Sequence, residues 1–177
     1  MPHVFEISPS ARAKCRGCGA QVAKGELRFG ERLPNPFGEG EMTLWFHPIC
    51  GMFKRPEPFL EALAATDAVL EERERLERLA REGIQHRRLP RINGAELAPS
   101  GRAHCRSCRE IISKGEWRFS LVYFLEGRFE PSGYVHAKCS QEYFGTTDVI
   151  ERVRHFSRLE ESELDEIRRA LSGGSPP

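Results

Sequence analysis

The stretch Cys15-Arg16-Gly17-Cys18, a spacer of 28 residues and the stretch His47-Pro48-Ile49-Cys50 together decide the fold of the first part of the chain. A second copy has Cys105-Arg106-Ser107-Cys108, a spacer of 27 residues and His136-Ala137-Lys138-Cys139. Each pair can offer two ligands to one point, and three thiolates with one imidazole suit Zn²⁺, which accepts mixed sulfur and nitrogen ligands. The sequence therefore predicts two zinc ions per chain, ligated by Cys15, Cys18, His47 and Cys50 and by Cys105, Cys108, His136 and Cys139.

Six cysteines also fit a disulfide framework in a secreted protein. We favour metal, because residues 1–7 lack the basic and apolar segments of a secretory signal. Thiol redox chemistry is disfavoured because each C-x2-C pair has a histidine and a cysteine downstream. Four protein ligands leave no coordination position for water, so we expect structural zinc and no enzyme activity. A nuclease or an ADP-ribose enzyme is disfavoured, since no catalytic constellation can be named.

The two copies align beyond their ligands. Lys24-Gly25-Glu26 aligns with Lys114-Gly115-Glu116, and Arg28-Phe29 aligns with Arg118-Phe119. Units of about 50 residues seldom fold on a hydrophobic core alone, and a metal is a usual supplement. We therefore predict an α+β fold of two small zinc-stapled fingers, each a short antiparallel sheet with helices, joined by a helical linker and followed by C-terminal helices. The predicted boundaries are 1–56 for the first finger, 57–92 for the acidic helical linker, 93–145 for the second finger, 146–171 for the C-terminal helices and 172–177 for a disordered tail.

Local patterns predict the elements of each finger. Alternation around Leu27 and Phe29 indicates a strand, residues 33–40 are too rich in Pro and Gly for regular structure, and residues 42–46 form the returning strand. In the second copy, residues 117–125 are a strand and Glu126-Gly127 its turn. Helices are predicted at 68–82 after a Thr66-Asp67 cap, at 146–156 and at 160–171.

The formal net charge of +1 conceals a segregation of charge. Residues 9–56 carry eight positive and four negative side chains, and residues 99–140 carry seven and four. Residues 57–83 carry four positive and eight negative, and residues 141–177 five and eight. Any polyanion would therefore meet a specific arginine stripe. Without an apolar run of membrane length we expect a soluble intracellular protein, in the nucleoid or cytoplasm if bacterial, as the arginine-rich composition favours, or in the nucleus if eukaryotic.

Further matches point to a known family. They are Ser-Gly-Arg-Ala-x-Cys at residues 100–105 with Ser-Ala-Arg-Ala at 10–13, Lys-Gly-x-x-Arg in both copies, and Trp-Phe-His at 45–47. Each copy thus resembles the zinc finger near the N-terminus of poly(ADP-ribose) polymerase and of the nuclear DNA ligase with one such finger. The resemblance covers about half of the chain. The stretch after Cys139 is too short for an ADP-ribosyltransferase domain, so we expect a tandem finger protein without a catalytic domain. Val135 departs from the pattern, which has an aromatic residue there.

The resemblance implies a non-enzymatic, sequence-independent protein that recognises double-stranded DNA with breaks or ends, in DNA repair. Family fingers use arginines on the DNA backbone and apolar loop residues against the exposed end of the base stack. The resemblance implies contacts with the DNA backbone for Arg12, Arg28, Arg102 and Arg118. It implies stacking contacts for Phe37, Met42, Leu125 and Phe129. The alternative is a zinc-stabilised interaction scaffold or dimerisation module, which binds a protein partner or a second copy through the acidic helices.

Overall fold

The computed structural model describes residues 2–173, which form two compact units. The first unit comprises the residues up to Gln85 together with Phe124–Arg128, and the second comprises His86–Tyr123 and the residues from Phe129 onward. Each unit contains antiparallel β-structure and helices, so the predicted α+β class is confirmed. Among the described residues, no helix has both the length and the apolar character needed to cross a membrane.

The elements follow the same order in both parts of the chain. The first set is β1 (Val4–Ile7), β2 (Leu27–Pro34), β3 (Glu41–Phe46), α1 (Pro48–Lys54), α2 (Pro56–Ala65) and α3 (Arg73–Gln85). The second set is a 3-10 turn (Leu89–Arg91), β4 (Ile92–Leu97), β5 (Trp117–Leu125), β6 (Arg128–His136), a second 3-10 turn (Ala137–Cys139), α4 (Ser140–Phe144), α5 (Ile150–Phe156) and α6 (Glu161–Leu171). The strand orders β1-β2-β3 and β4-β5-β6 repeat the same sheet.

Phe29 on the central strand β2 organises the core of the first unit. It lies opposite Phe5 of β1 and Phe46 of β3 in the sheet register, with ring centroids 5.5 and 5.8 Å away. Phe59 of α2 meets the Phe29 ring edge to face at 5.6 Å. Tilted and edge-to-face aromatic pairs are favourable beyond the area they bury, so this cluster fixes α2 on the sheet.

Most of the stretch 57–92, predicted as a linker, packs within the first unit through helices α2 and α3, and residues 86–92 belong to the second unit. Leu63 of α2 and Leu76 and Leu79 of α3 are buried. Helix α3 begins at Arg73, not at the predicted residue 68. The hydroxyl of Thr66 accepts the N–H of Ala68, as a cap would, but Glu72 adopts a left-handed φ of 54° and delays the helix. The finger and linker boundaries stay predictions.

The core of the second unit joins its sheet to the last two helices. Phe119 of β5 is fully buried in the same cluster as Val153 of α5 and Leu164 and Ile167 of α6. The apolar stripe of α6 therefore faces its own unit. This arrangement gives no support to the alternative of a partner or dimer surface on that stripe, because the side chains that would make the contact are already covered.

The C-terminal helices begin later than predicted. Helix α5 starts at Ile150, because the hydroxyl of Thr146 accepts the N–H of Asp148 and closes a turn before the helix. Helix α6 starts at Glu161 after a capping box, in which the N–H of Glu160 donates to the Glu163 carboxylate at 2.7 Å. Residues 172 and 173 form the turn that ends α6, and residues 174–177 of the predicted disordered tail lie outside the described residues.

A buried ion pair is a further part of the first unit. Glu31 of β2 is 1% exposed and accepts hydrogen bonds from the guanidinium of Arg55 at 2.6 to 3.0 Å. The same guanidinium lies 3.8 Å from the centre of the Phe124 ring, which belongs to this unit. The pair satisfies a carboxylate that would be costly to bury alone.

Candidate zinc sites and nucleic-acid surface

The four predicted ligands of the first site converge between the sheet and α1. Cys15 and Cys18 lie in the turn before β2, His47 follows β3, and Cys50 lies in the first turn of α1. One ligand atom from each residue lies within 4.8 Å of the other three. Cys15 and Cys50 are buried, whereas Cys18 is exposed, so the site lies at the surface on one side.

The second site repeats this arrangement with deeper burial. Cys105 and Cys108 lie in the corresponding turn, His136 ends β6, and Cys139 lies in the 3-10 turn that follows. The four ligand atoms again lie within 4.8 Å of one another. His136 is 2% exposed, and Cys105 and Cys139 are buried as well.

The histidine rings present Nδ1 to the sulfurs. Nδ1 of His47 lies 3.4 Å from Cys18 Sγ and 3.9 Å from Cys50 Sγ. Nδ1 of His136 lies 3.4 Å from Cys108 Sγ and 3.8 Å from Cys139 Sγ. Zn–S bonds of about 2.3 Å and Zn–N bonds of about 2.0 Å at a tetrahedral angle would separate N and S by about 3.5 Å. The donor set and its spacing therefore fit zinc, and the prediction of two zinc sites is confirmed.

The pKa values of the thiols show why a cation suits the first cluster. A hydrogen bond from Cys50 lowers the pKa of Cys15 to about 4, against the effect of burial and with help from backbone N–H groups. The same hydrogen bond, with burial and the charge on Cys15, raises the pKa of Cys50. One sulfur is thus favoured as a thiolate at the expense of its neighbour. A bound Zn²⁺ removes this conflict, because it attracts all three thiolates.

The second cluster has the same conflict. Burial raises the pKa of Cys105, but the N–H groups of His136, Cys108 and Ser107 outweigh it and bring the value down to about 7. Burial and the charge on Cys105 raise the pKa of Cys139 to about 12. The backbone N–H of His136 donates to Cys105 Sγ at 3.3 Å, just as that of His47 donates to Cys15 Sγ. Backbone donors therefore support one sulfur in each cluster.

A glutamate lies beside each histidine. It ends a second turn, at residues 23–26 or 113–116, between the cysteine turn and the central strand. Oε2 of Glu26 is 3.9 Å from Nε2 of His47, and Oε2 of Glu116 is 3.4 Å from Nε2 of His136. Glu26 and Glu116 occupy equivalent positions in the two copies, but they are not among the predicted site residues. Each lies eleven residues after the first cysteine of its copy, and this recurrence is a signal in the sequence that could have identified them.

Arg28, a predicted phosphate contact, is largely enclosed. Its guanidinium donates to Glu6 Oε1 at 2.5 and 3.2 Å and to Ser8 Oγ at 3.3 Å, and the residue is 7% exposed. The guanidinium also lies 3.5 Å from the centre of the Trp45 ring. In this structure Arg28 therefore links β1, β2 and β3. Its contact with phosphate stays a prediction, and it would require the side chain to leave part of this enclosure.

Arg118 repeats this environment in the second unit. It donates to Glu96 at 2.7 and 3.1 Å, is 5% exposed, and lies 3.6 Å from the centre of the Tyr134 ring. By contrast, Arg12 and Arg102, each three residues before a zinc cysteine, are exposed. The structure therefore divides the four predicted arginines into an enclosed pair and an exposed pair.

Phe37, a predicted stacking residue, is 77% exposed at the tip of the loop between β2 and β3. The loop is ordered by local hydrogen bonds, because the side chain of Asn35 accepts the N–H of Phe37 and the N–H of Asn35 donates to the carbonyl of Gly40. Gly40 adopts a φ of +90°, which favours glycine. Met42, predicted with Phe37, is only partly exposed on β3.

Leu125 and Phe129, the predicted stacking pair of the second copy, flank Glu126-Gly127-Arg128 at the hairpin between β5 and β6. Glu126 and Gly127 have φ values of 48° and 81°, as a tight hairpin turn requires, and the predicted turn is confirmed. Leu125 is 51% exposed, whereas Phe129 is partly buried.

The tip of this hairpin, Phe124–Arg128, belongs to the first unit with Phe37 and Met42. The guanidinium of Arg128 lies 5.7 Å from the centre of the Phe37 ring. The methyl group of Met42 occupies the space that a Cβ atom on Gly127 would need. Phe129 lies in the second unit.

The sequence of this chain is similar to those of known proteins. Residues 6–87 match the family described as the "Poly(ADP-ribose) polymerase and DNA-Ligase Zn-finger region". Over 97% of its length the chain is 26% identical to a poly(ADP-ribose) polymerase of Sarcophaga peregrina, of which it covers 20%. It is 27% identical over 96% to poly(ADP-ribose) polymerase 1 of Gallus gallus, covering 19%, and 24% identical over 95% to polynucleotide 3′-phosphatase ZDP of Arabidopsis thaliana, covering 28%. The chain therefore spans about a fifth to just over a quarter of these relatives.

The fold and the two Cys3His clusters define a zinc-finger protein. Residues 6–87 are a zinc finger of the type shared by poly(ADP-ribose) polymerases and DNA ligases, as the sequence resemblance predicted. The second copy has the same ligand set, strand order and enclosed arginine.

Proposed function

We propose that this chain binds double-stranded DNA at strand breaks or ends, without sequence preference, and that both fingers take part. The observation that carries the proposal is the 77% exposure of Phe37 on a hydrogen-bonded loop tip. When a large apolar side chain that is exposed to water packs against a flat apolar surface, the free energy of the system falls. The terminal base pair of a duplex is such a surface, and covalently closed duplex does not present one.

The exposed arginines supply the second part of the proposal. Arg12 and Arg102 are exposed, and each precedes the first cysteine of its cluster by three residues. A guanidinium can bind phosphate oxygens through two parallel hydrogen bonds. Such contacts hold the protein on any DNA sequence, because the phosphate backbone is the same throughout. Leu125, 51% exposed on the hairpin between β5 and β6, is a further apolar contact.

The relatives are consistent with this proposal. The matched family includes DNA ligases by its description, and one relative is named as a phosphatase of polynucleotide 3′ ends. These enzymes differ in chemistry but share the region that matches this chain. We propose no catalytic role for the two clusters, because each already offers four protein ligands to its zinc.

A binding titration tests the proposal. The zinc-loaded chain would be titrated with blunt duplex, nicked duplex and covalently closed circular duplex of related sequence at one salt concentration. We expect the affinity for blunt or nicked DNA to exceed that for the closed circle by roughly tenfold, the scale of one stacking contact. Equal affinity for all three DNAs would contradict recognition of ends, and no binding to any of them would contradict the proposal altogether.

A further inference from the structure

The zinc histidines have a second ring nitrogen whose environment is specific. In both clusters Nδ1 faces the sulfurs, at 3.4 Å from the nearer ones. A neutral imidazole that binds a metal through Nδ1 carries its proton on Nε2, which becomes a hydrogen-bond donor. Nε2 of His136 is buried and has no hydrogen-bond partner among the described residues. A buried donor of this kind requires an acceptor, so a polar group that approaches Nε2 is a candidate partner.

A carboxylate approaches Nε2 in both fingers. Oε2 of Glu116 lies 3.4 Å from Nε2 of His136, and Oε2 of Glu26 lies 3.9 Å from Nε2 of His47. A shift of about half an ångström would bring the closer pair into the usual range for an N–H···O hydrogen bond. Metal-bound histidines usually donate their free N–H to such an acceptor, which fixes the tautomer and the ring plane.

The backbone holds each carboxylate near the ring. The N–H of Ala23 donates to Glu26 Oε2 at 2.7 Å, and the N–H of Ser113 donates to Glu116 Oε2 at 2.8 Å. Each glutamate also returns its own N–H to the carbonyl of the same partner, at 3.2 and 3.1 Å. The turn is made possible by the glycine before each glutamate, which has a φ of +88° at Gly25 and +86° at Gly115.

We propose that Glu26 and Glu116 are positioning residues for the zinc histidines: each accepts a hydrogen bond from the Nε2–H group and thereby directs Nδ1 to the metal. Two independent copies of the geometry carry the inference, each in its own finger. In the second finger, Lys138 donates to the other oxygen of Glu116 at 3.3 Å, which further restricts the carboxylate. This role does not depend on DNA binding.

The test uses the full zinc-loaded chain and NMR of its histidine side chains. In the unaltered protein we expect Nε2 of His136 to be protonated, with a proton resonance that exchanges slowly with water. Glu116→Ala should accelerate that exchange, shift the resonance, and lower the zinc affinity of the second site about tenfold or more in competition with a chelator. The His47 resonance should stay unchanged and serves as an internal control.

Two further variants separate positioning from a general effect on folding. Glu116→Gln keeps an oxygen for the Ser113 N–H and the imidazole proton, so it should retain the Nε2–H resonance with a smaller loss of zinc affinity. Glu142→Ala removes an exposed carboxylate of α4 and should change neither quantity. The proposal is wrong if His136 binds zinc through Nε2. It is equally wrong if Glu116→Ala lowers zinc affinity while the Nε2–H resonance is unchanged, since the glutamate would then act only through its turn.

Discussion

The guanidinium of Arg28 lies 3.5 Å from the centre of the Trp45 ring. Glu6, the direct partner of Arg28 in the sheet register, holds the guanidinium from the opposite strand. Cation–π contact and charge-assisted hydrogen bonds both strengthen when the groups are shielded from water. The Lys-Gly-x-x-Arg motif therefore contributes to the packing of the finger as well as to any contact with DNA.

We predict that Arg28→Ala lowers the free energy of unfolding of the first finger by about 1 to 3 kcal/mol, because it removes the stacked cation and leaves Glu6 without its partner. Arg28→Lys should recover only part of this loss. Unlike a planar guanidinium, an ammonium group cannot stack on an aromatic ring or form two parallel hydrogen bonds with a carboxylate. Denaturant unfolding of the zinc-loaded chain measures both. Arg12→Ala, at an exposed position, is the control and should change stability by less than about 0.5 kcal/mol. If Arg28→Ala and the unaltered protein are equally stable, the contacts of Arg28 with Glu6 and Trp45 do not stabilise the finger.

Metal content provides a second prediction. We expect two zinc ions per chain, and we expect Cys18→Ser to release one and unfold the first finger, because structural zinc contributes on the order of 10 kcal/mol to a domain of this size. Cys108→Ser should affect the second site alone. Metal analysis with circular dichroism would measure both effects. A single zinc in the unaltered chain, or a disulfide detected by mass, would contradict the two-site description.

The burial of α6 gives a third prediction. Leu164→Ala should destabilise the second unit by about 2 to 5 kcal/mol, the range for a truncated core leucine, because Leu164 is 1% exposed. Val69→Ala, at a position 91% exposed, should have almost no effect. Thermal unfolding and sedimentation would be compared. If Leu164→Ala changes self-association and leaves stability intact, the helix serves as a docking surface after all.

Salt dependence tests the exposed arginines. Arg12→Ala and Arg102→Ala should each weaken binding to every DNA and reduce the slope of log affinity against log salt by about one unit, because one phosphate contact and its released counterion are lost. Arg169→Ala, an exposed arginine of α6, is the matched control and should leave the slope unchanged. Unchanged slopes for the first two variants would remove them from the DNA contact.

Much of the zinc chemistry could be predicted from sequence, because each pair of ligands is local and the spacing of the pairs repeats. The outer strands β1 and β4 escaped prediction, since their pairing partners lie some twenty residues away and are visible only in the register, as for Glu6 with Arg28. The burial of Arg28 and Arg118 was missed for the same reason: a recurring arginine shows that a position matters, but its acceptor across the sheet decides which way it points. The exposure of Phe37 was easier to anticipate, because its loop is rich in Pro and Gly.

Recognition of DNA ends is measured most directly by comparing the affinity of loop variants for nicked or blunt DNA with their affinity for covalently closed duplex. Phe37→Ala, alone and with Leu125→Ala, removes the two most exposed of the four predicted stacking side chains. A base-stacking contact contributes roughly 1 to 3 kcal/mol for an aromatic side chain, and we expect less for leucine. We predict a selective loss of affinity of roughly fivefold to a hundredfold on DNA with breaks, with unchanged affinity for the closed circle and an unchanged salt slope. An equal loss on both DNAs, or none on either, would contradict this prediction.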